Sequence, residues 1–436
     1  MAIKFDEKTE AFYDRVRSKR LQMQSDCFAK ALPELGDETV NALKELYSLY
    51  DEKLYIWFAG LWQPEVGGFY YSNSARNTDG FLPDLESTVQ TLRFANTAGL
   101  YSAYENDILK AFPDKCKSVL AGFVKSLEDP DDGYFYHPQW GKNIYVSRRG
   151  RDLGWATWIL KTFDIKPDYP TAIERISNKD KEENNAIPEH FRSIEAFREY
   201  LSKMSLDKKS YSFGNTLAAQ GGQIEAAGEE YIDATIEFFN KNQRSDNGLW
   251  QEIVNYDSVN GLFKISQLYS RFKRPLPNPE LALGSALLAA MSDEKIEFVC
   301  EFYNPWCVMG AILSNMQRFG KQDVAASLRE RIRNVAPQLL HVTIEKIRSC
   351  MKKDGSFSYK PTRSTCMSQG APVSVQGTNE GDVNATCISS TGMISNVCNV
   401  LGIDPVPMFC TEDSKVFIRL LNKATVKPKK SYEPKV

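Results

Sequence analysis

Three carboxylic residues in glycine- and aromatic-rich segments have the types and spacing that acid–base catalysis requires. Hydrolysis of a glycosidic bond needs one carboxyl group to protonate the leaving oxygen and another to activate water or attack the sugar. Glu86 follows Asp84, a good helix-opening residue, and so lies in a first helical turn. Glu380 and Asp382 lie in a distant segment of similar composition. The sequence therefore predicts catalytic carboxyl groups at Glu86, Glu380 and Asp382.

A second segment, HPQWGKNIYVSRRGRDLGW, combines aromatic residues with arginines. An arginine pairs with a carboxylate through two parallel hydrogen bonds, which suits an anionic substrate. In a lyase, Arg149 or Arg151 would neutralise a uronate carboxylate. Tyr145 or His137 would then remove a proton from the sugar ring. The predicted anion-binding residues are Arg76, Arg148, Arg149 and Arg151. For the last three, pairing with neighbouring carboxylates on a solvated rim is the alternative.

Aromatic residues near turns and helix starts are predicted to stack on the flat faces of a sugar. The residues concerned are Trp140, Trp155, Trp250 and Trp306. An isoprenoid would use the same rings, and filling of the core is the third explanation. Asp84, Asp152 and Asn384 are further predicted substrate contacts. For the two aspartates, plain capping of a helix N-terminus is the alternative.

Composition narrows the class of protein. The chain has 436 residues, of which 42% are hydrophobic, and a net charge of -2, so it is globular and lacks the basic field of a nucleic-acid or membrane-surface binder. No apolar run approaches the roughly 18 residues of a spanning helix. The first residues lack the apolar stretch of a signal peptide, so we expect a cytoplasmic protein whose nine cysteines are thiols.

Histidine is scarce and the sequence lacks the common cofactor motifs. The three histidines are scattered, and no glycine-rich nucleotide-binding motif occurs. We therefore expect neither a metal nor a cofactor. The expected partner is a small molecule or oligosaccharide that carries negative charge, and neither nucleic acid nor a membrane is expected to bind.

Helical periodicity dominates the chain. Leu85, Val89 and Leu92, for example, fall on one face of a helix. Runs of alternating apolar and polar residues are short, which argues against an extensive sheet. Six helical stretches are predicted, at 37–60, 115–127, 189–205, 228–243, 278–296 and 321–351. They alternate along the chain with a second set of six predicted helices.

A turn unit recurs between these stretches. A glycine is followed by aromatic or apolar residues in turns that contain Gly67, Gly133, Gly248 and Gly355. After each loop an Asp or Asn is predicted to open another helix, at Asp84, Asp152, Asn215, Asp257, Asn304 and Asp382. Helices therefore come in six pairs. The predicted fold is an all-α (α/α)6 toroid over 37–402, with a helical extension at 1–36 and an extension at 403–436 that ends in a disordered tail.

Two segments resemble the repeat of the terpenoid-cyclase and prenyltransferase toroids: GGFYYSNSARNTDGFLPDLESTVQTL and DGSFSYKP…NEGDVNATCISSTGMISNVCNVLG. Six-hairpin glycosidases and several toroidal polysaccharide lyases share that architecture. The resemblance implies a funnel at the openings of the inner helices. Class II terpenoid cyclases place an acidic DxDD motif on an inner helix, whereas the match here, at residues 129–132, falls in a turn.

The leading functional hypothesis is a glycoside hydrolase or a lyase that acts on an acidic oligosaccharide in this funnel. The alternatives are a terpenoid-cyclase-like enzyme on an isoprenoid, and a non-catalytic toroid that binds a peptide, lipid or glycan. A sugar transferase or isomerase is a further alternative.

Overall fold

The computed structural model describes residues 6–177 and 187–431, which are mostly helical. The prediction of an all-α protein is confirmed at this level. The α-helices are α1 (Glu7–Tyr47), α2 (Glu52–Gly60), α3 (Asn73–Asn77), α4 (Leu85–Thr97), α5 (Ile108–Ala111), α6 (Asp114–Lys125), α7 (Val146–Thr162), α8 (Ala172–Ser177), α9 (Ile194–Ser202), α10 (Leu206–Ala219), α11 (Gly221–Ala227), α12 (Glu229–Asn242), α13 (Tyr256–Arg271), α14 (Pro279–Met291), α15 (Cys300–Arg318), α16 (Gln322–Cys350), α17 (Val383–Cys387), α18 (Met393–Leu401) and α19 (Thr411–Asn422).

Shorter elements complete the description. Strand β1 (Trp62–Gln63) pairs antiparallel with β2 (Gly68–Phe69), and β3 (Met367–Ser368) pairs antiparallel with β4 (Ala371–Pro372). Other short turns of helix are Ser102–Tyr104 and Glu189–Phe191, which are 3-10 helical, and Ile388–Gly392, which is π-helical and joins α17 to α18.

The chain packs as two compact units. Unit 1 contains Met1–Val124, Glu294–Val299 and Arg333–Val436, and unit 2 contains Lys125–Asp293 and Cys300–Ile332. Helix α16 begins in unit 2 and ends in unit 1. The boundaries predicted near residues 36 and 402 both fall inside unit 1.

The helical stretches predicted from apolar periodicity are present. Helices α6, α9, α12, α14 and α16 lie in the predicted ranges. The stretch 37–60 is divided, because α1 ends at Tyr47 and Asp51 caps a new helix by accepting a hydrogen bond from the backbone N–H of Lys53 at 2.9 Å. Helix α1 also bends at Gly36, whose φ of 74° is not helical.

The recurrent glycine turns have a common structural cause. Gly67, Gly133, Gly248 and Gly355 all have φ between 71° and 91°, where L side chains are strained. A Cβ atom at each would also lie within 3 Å of the backbone of another segment of the same unit. These segments belong to α6 for Gly67, to the start of α8 for Gly133, to α14 for Gly248 and to α2 for Gly355. Each turn therefore packs directly on a helix or on its first residues.

Two of the six predicted helix openers cap a helix. The side chain of Asp84 accepts from the backbone N–H of Ser87 at 3.0 Å, and that of Asp382 accepts from Ala385 at 2.8 Å. Asp257 lies inside the first turn of α13, two residues after the true cap Asn255, which forms a capping box with Ser258. The prediction that Asp257 caps this helix is wrong by two residues.

The other three predicted openers do not begin a helix. Each lies inside a helix, and its side chain pairs with a residue of the same helix or of another one. Asp152 lies inside α7 and pairs with Arg148 one turn earlier. Asn215 of α10 accepts a hydrogen bond from Arg151 of α7 at 2.9 Å. Asn304 lies inside α15, and its Nδ2 donates to the Oδ1 of Asn260 in α13 at 2.8 Å. All three helices begin earlier than predicted.

The helices that were predicted as second members of pairs pack on one another within each unit. In unit 2, α7 packs on α10, α10 on α13 and α13 on α15. Ser210 of α10 approaches Gly261 of α13 so closely that a Cβ at Gly261 would lie 2.6 Å from the Ser210 Cβ. In unit 1, α4 packs on α17.

The C-terminal tail contacts other parts of the chain where it is described. The sequence predicts disorder from Val426 onward, but Lys430 exchanges backbone hydrogen bonds with Asn77 and Asp79. The ammonium group of Lys429 also lies 4.9 Å from the ring centre of Tyr70. These contacts join the described part of the tail to other segments of unit 1, disorder of the tail stays a prediction, and residues 432–436 lie outside the described residues.

The segment 163–187, predicted as an exposed excursion, is described up to residue 177 and again from 187. Its described part contains α8, in which Ala172 and Ile176 are buried. Backbone N–H groups of Asp168 and Tyr169 donate to one carboxylate oxygen of Glu128. This part is therefore packed on unit 2, and residues 178–186 lie outside the described residues.

Candidate functional site

Unit 1 brings the two predicted carboxylic segments together. Ser72 and Asp382 form an antiparallel bridge, and the backbone N–H of Val383 donates to the carbonyl of Tyr71 at 2.9 Å. The turn that precedes α4 is thereby joined to the start of α17. Glu86, Glu380 and Asp382 consequently belong to one unit.

The two helix starts share a hydrogen-bonding pattern. The Thr88 hydroxyl accepts from the backbone N–H of Phe69 at 3.0 Å, and the Thr386 hydroxyl accepts from that of Phe357 at 3.0 Å. In both cases the threonine lies four residues after the capping aspartate. The aspartate's own N–H donates to the carbonyl of the same phenylalanine. This repeated pattern holds each glycine turn against the helix that follows it.

Asp382 is occupied by backbone groups. Its Oδ1 accepts from Ala385 and its Oδ2 from Tyr359 at 2.9 Å, and the residue has no exposed surface. Burial raises the pKa of this carboxyl group to about 7, although the hydrogen bonds oppose the shift. The geometry favours a structural role for Asp382 over the predicted catalytic one. Asp84 is 1% exposed and caps α4, which favours the capping alternative for this residue as well.

The raised pKa of Asp382 has a consequence for stability. Because the folded protein holds this proton more tightly than the unfolded chain does, Asp382 contributes stability that is complete below pH of about 4 and is lost as the pH rises through about 7. When the pH rises from about 4 to about 8, the free energy of unfolding should fall more in the wild type than in the Asp382→Asn variant. The two decreases should differ by more than about 1 kcal/mol. Urea unfolding at about pH 4 and about pH 8 measures the difference. Asp404→Asn, which removes an exposed carboxyl group of unit 1, should follow the wild type; equal behaviour of the two variants would contradict the assignment.

Glu380 lies beside the start of α3. Its Oε2 accepts from the backbone N–H of Ser74 at 2.9 Å. Its Oε1 is buried and has no hydrogen-bond partner among the described residues. Burial raises the pKa of this carboxyl group above its usual value, while the hydrogen bonds from Ser74 and Ser72 limit the shift. A carboxyl group in this state holds its proton to a higher pH than an exposed glutamate does.

Glu86 is buried in the first turn of α4, at 1% exposure. Its Oε2 accepts from the Ser368 hydroxyl on β3 at 2.6 Å, and its Oε1 accepts from Gln90 at 3.3 Å. The Gln90 amide also donates to Asn384 of α17 at 3.2 Å. Glu86 is therefore the centre of a polar network that joins α4, α17 and the β3–β4 hairpin.

The hydroxyl group of Tyr71 lies within the electrostatic reach of these carboxyl groups. It is buried and interacts with the carboxyl group of Asp382. Burial raises the pKa of Tyr71 well above its usual value, and the charges of Asp382 and Glu86 raise it further. A tyrosine in this state stays protonated, so it can donate a hydrogen bond but is a poor base.

Arg76 supplies positive charge in the same unit. Its Nη1 donates to the carbonyl of Gly60 at 2.8 Å and its Nε to the side chain of Asn77 at 2.9 Å. Burial lowers the pKa of this guanidinium, and Glu380 is the first of the nearby acids that oppose the shift. Arg76 is therefore half-buried, held by its backbone partner and close enough to Glu380 to interact with it.

A stacked group in unit 2 contains several other predicted residues. The Arg148 guanidinium is fully buried, pairs with Asp152 at 3.0 Å and lies 4.8 Å from the ring centre of Trp140. His137 is 3% exposed and stacks on the same indole, with ring centres 3.9 Å apart. The Nδ1 atom of His137 accepts from the backbone N–H of Gln139 at 3.2 Å. These contacts favour the structural alternative for Arg148 and Asp152.

The remaining residues of this loop are more accessible. Arg149 is half-buried and lies 4.8 Å from the ring centre of Tyr134. Arg151 is half-buried and is held by Asn215, and Trp155 is also half-buried on α7. Tyr145, just before α7, is 68% exposed. That all the predicted residues of units 1 and 2 line one funnel stays a prediction.

Two predicted sugar platforms are core residues. Trp250 is 1% exposed, and its indole N–H donates to the carbonyl of Phe239 at 3.0 Å. Trp306 has no exposed surface. This burial favours filling of the core, the alternative explanation for both rings, and substrate binding by Trp250 and Trp306 stays a prediction.

Several residues of the unit 1 site were missed in the sequence. They are Ser72, Ser74, Gln90 and Ser368. Gln90 could have been found, since it follows Glu86 by four residues and shares its helix face. Ser368 carries no such local signal, because it reaches Glu86 only through the fold.

Two further properties of the described residues bear on this site. They contain no group of three or more His, Cys, Asp or Glu side chains arranged to hold a metal ion. None of their helices combines the length and the apolar character needed to cross a bilayer.

The comparison of this chain with protein-family models, curated proteins and solved structures found no match.

Proposed function

We propose that this protein is a carbohydrate-active enzyme that hydrolyses an acidic oligosaccharide, with Glu380 as general acid and Glu86 as the second carboxyl group. One observation carries the proposal: Tyr71 interacts with both Glu86 and Asp382, and Asp382 interacts with Glu380, so carboxyl groups from distant segments surround one buried region of unit 1 in which burial raises the pKa of Glu380. A general acid is most effective when its pKa lies near the working pH. Burial of a carboxyl group is the usual way to achieve this.

The neighbouring groups suit an acidic sugar. Arg76 interacts with Glu380 and supplies a guanidinium that can pair with a uronate carboxylate. Gln90, Asn384 and Ser368 offer amide and hydroxyl groups of the kind that bind sugar hydroxyls. Since Ser368 covers Glu86, the β3–β4 hairpin must move for a substrate to reach this carboxyl group.

The six-hairpin ring is the architecture that we propose to hold this site. The shared turn-to-threonine pattern at α4 and α17 supports it, as does the sequential packing of α7, α10, α13 and α15 within unit 2. The resemblance to terpenoid-cyclase and prenyltransferase toroids, and to six-hairpin glycosidases and lyases, is part of the same proposal. So is a cytoplasmic location, which would restrict the substrate to short imported oligosaccharides.

The test is a screen of saturated and unsaturated uronic-acid oligosaccharides and of neutral glycosides. We expect turnover of a uronic-acid substrate, and we expect Glu380→Gln and Glu86→Gln each to lower kcat/KM by about a hundredfold or more. Arg76→Ala should raise KM for the acidic substrate more than for a neutral one. Melting curves of each variant show whether it remains folded.

The matched control is Glu45→Gln, which removes a partly exposed carboxyl group of unit 1 that pairs with Arg348. It should leave kcat/KM unchanged. Binding of a glycan that Glu380→Gln and Glu86→Gln leave intact, with no turnover by the wild type, would contradict the proposal and favour a binding protein. Full activity of both variants would remove these residues from the mechanism.

A further inference from the structure

Unit 2 contains a half-open cavity of about 370 Å³ that belongs to no part of the candidate site. It lies between α14, the first turns of α16 and the segment 246–254. Small-molecule pockets are typically on the order of 300–1,000 Å³, so this cavity is at the small end of that range. Its apolar walls include Val254, Leu281, Leu287, Leu288, Leu328 and Ile332.

Helix α14 leaves apolar side chains uncovered at this cavity. Leu281 and Leu288 lie seven residues apart, on one helix face, and are 43% and 67% exposed. Gly284 lies between them on the same face, and a Cβ atom built there would have no heavy atom within 4 Å. The missing side chain of Gly284 therefore creates a notch between two exposed leucines. Covering such surface with an apolar ligand is favourable, because it removes apolar area from water.

The rim of the cavity carries three charged residues, and two are already neutralised. Asp246 pairs with Arg244 at 2.7 Å, and Glu280 pairs with Lys321 at 3.2 Å. Arg331 is exposed, and its guanidinium group forms no ion pair or hydrogen bond with any residue that the structure describes. The guanidinium group of Arg331 is therefore the charged group that remains available to a ligand at this cavity.

We propose that this cavity binds a small anionic amphiphile, a medium-chain alkyl carboxylate. The alkyl chain lies in the Gly284 notch between Leu281 and Leu288, and the carboxylate pairs with Arg331. A cavity with apolar walls and few placed polar groups is the usual form of a small-ligand site. The excess positive charge at the rim selects an anionic headgroup over a cationic one.

The probe is decanoate, used below its critical micelle concentration and measured by isothermal titration calorimetry. We expect saturable binding at a ratio of one to one, with decyltrimethylammonium and hexanoate binding at least tenfold more weakly. Arg331→Gln should weaken decanoate binding by about tenfold or more, as loss of a charged hydrogen-bond partner does. Decanoate should also raise the Tm of the wild type.

Two variants distinguish decanoate binding in the cavity from binding to positive charge elsewhere on the surface. Gly284→Leu fills the notch, and its side chain meets no neighbour at Cβ, so the fold is retained while decanoate binding is lost. Arg198→Gln removes another exposed arginine of unit 2, paired with Glu237 and remote from the cavity lining, and should bind decanoate as the wild type does.

The proposal is overturned by three results. One is the absence of decanoate binding, and another is equal affinity for decanoate and decyltrimethylammonium. The third is Arg331-dependent binding to phosphatidylglycerol vesicles, with none to phosphatidylcholine vesicles or free decanoate, because it would assign this face to a membrane surface. Loss of binding in both Gly284→Leu and Arg331→Gln, with wild-type affinity in Arg198→Gln, supports the proposal.

Discussion

Replacement of Arg20 by alanine is expected to lower the free energy of unfolding by about 3–5 kcal/mol. Arg20 is 4% exposed, and its Nε and Nη2 donate to the two carboxylate oxygens of Asp413 at 3.0 and 2.7 Å. Its Nη2 also lies 3.5 Å from the Oε2 of Glu52. Both carboxylates are fully buried, so loss of Arg20 leaves negative charge in a region with little solvent. The network joins α1, α2 and α19, which makes this a stability effect on unit 1.

Lys19→Ala is the matched control, because Lys19 lies on the same helix and pairs with Glu412 at the surface, where its side chain is 61% exposed. A pair of this kind is worth at most about 1 kcal/mol. Urea unfolding of both variants, followed by far-UV circular dichroism, gives the comparison. If Arg20→Ala costs no more than Lys19→Ala, then the buried network does not stabilise unit 1.

Gly67→Ala is expected to destabilise the protein by at least about 3 kcal/mol. Gly67 has φ 91°, which strains any residue with a Cβ. That Cβ would also lie 2.3 Å from the carbonyl carbon and oxygen of Val119. Because both atoms are backbone atoms of α6, no side-chain rotation can relieve the contact. Either the turn or α6 must move.

The control is Gly122→Ala, in the same helix α6. A Cβ at Gly122 would have no neighbour within 4 Å, and alanine is the better helix former, so stability should rise by up to about 1 kcal/mol. Thermal unfolding of both variants measures opposite shifts in Tm. A Gly67→Ala variant with the Tm of the wild type would show that the turn is not packed on α6 as described.

The errors in the predicted helix starts have a common physical origin. Asp and Asn are good caps because their side chains accept hydrogen bonds from free backbone N–H groups. The same side chains also bond to other helices, and Asn215 and Asn304 do so. A local pattern contains no information about whether Arg151 or Asn260 will lie within reach. Only Asp84 and Asp382, which follow a glycine turn in the same unit, cap as predicted.

The candidate site was partly predictable for a related reason. Glu86 and Glu380 were selected because their segments share a turn-and-cap pattern, and that pattern places both segments at the start of helices that pack together in unit 1. Burial was not predictable. Glu86 is covered by Ser368, which is distant from it in sequence. Trp250 and Trp306 are core residues, because residues distant in sequence pack over them.

The amino-acid sequence by itself determined the helical class, the approximate positions of most helices and the glycine turns, but not the starts of α7, α10, α13 and α15. Amphipathic periodicity and positive φ angles depend on residues near one another in the chain. Only the tertiary structure decided which polar groups are buried, which carboxyl group holds a proton near neutral pH, and which apolar face of α14 stays open. These properties depend on desolvation by segments far apart in sequence, and the free energy of a charge changes with every atom that replaces water around it.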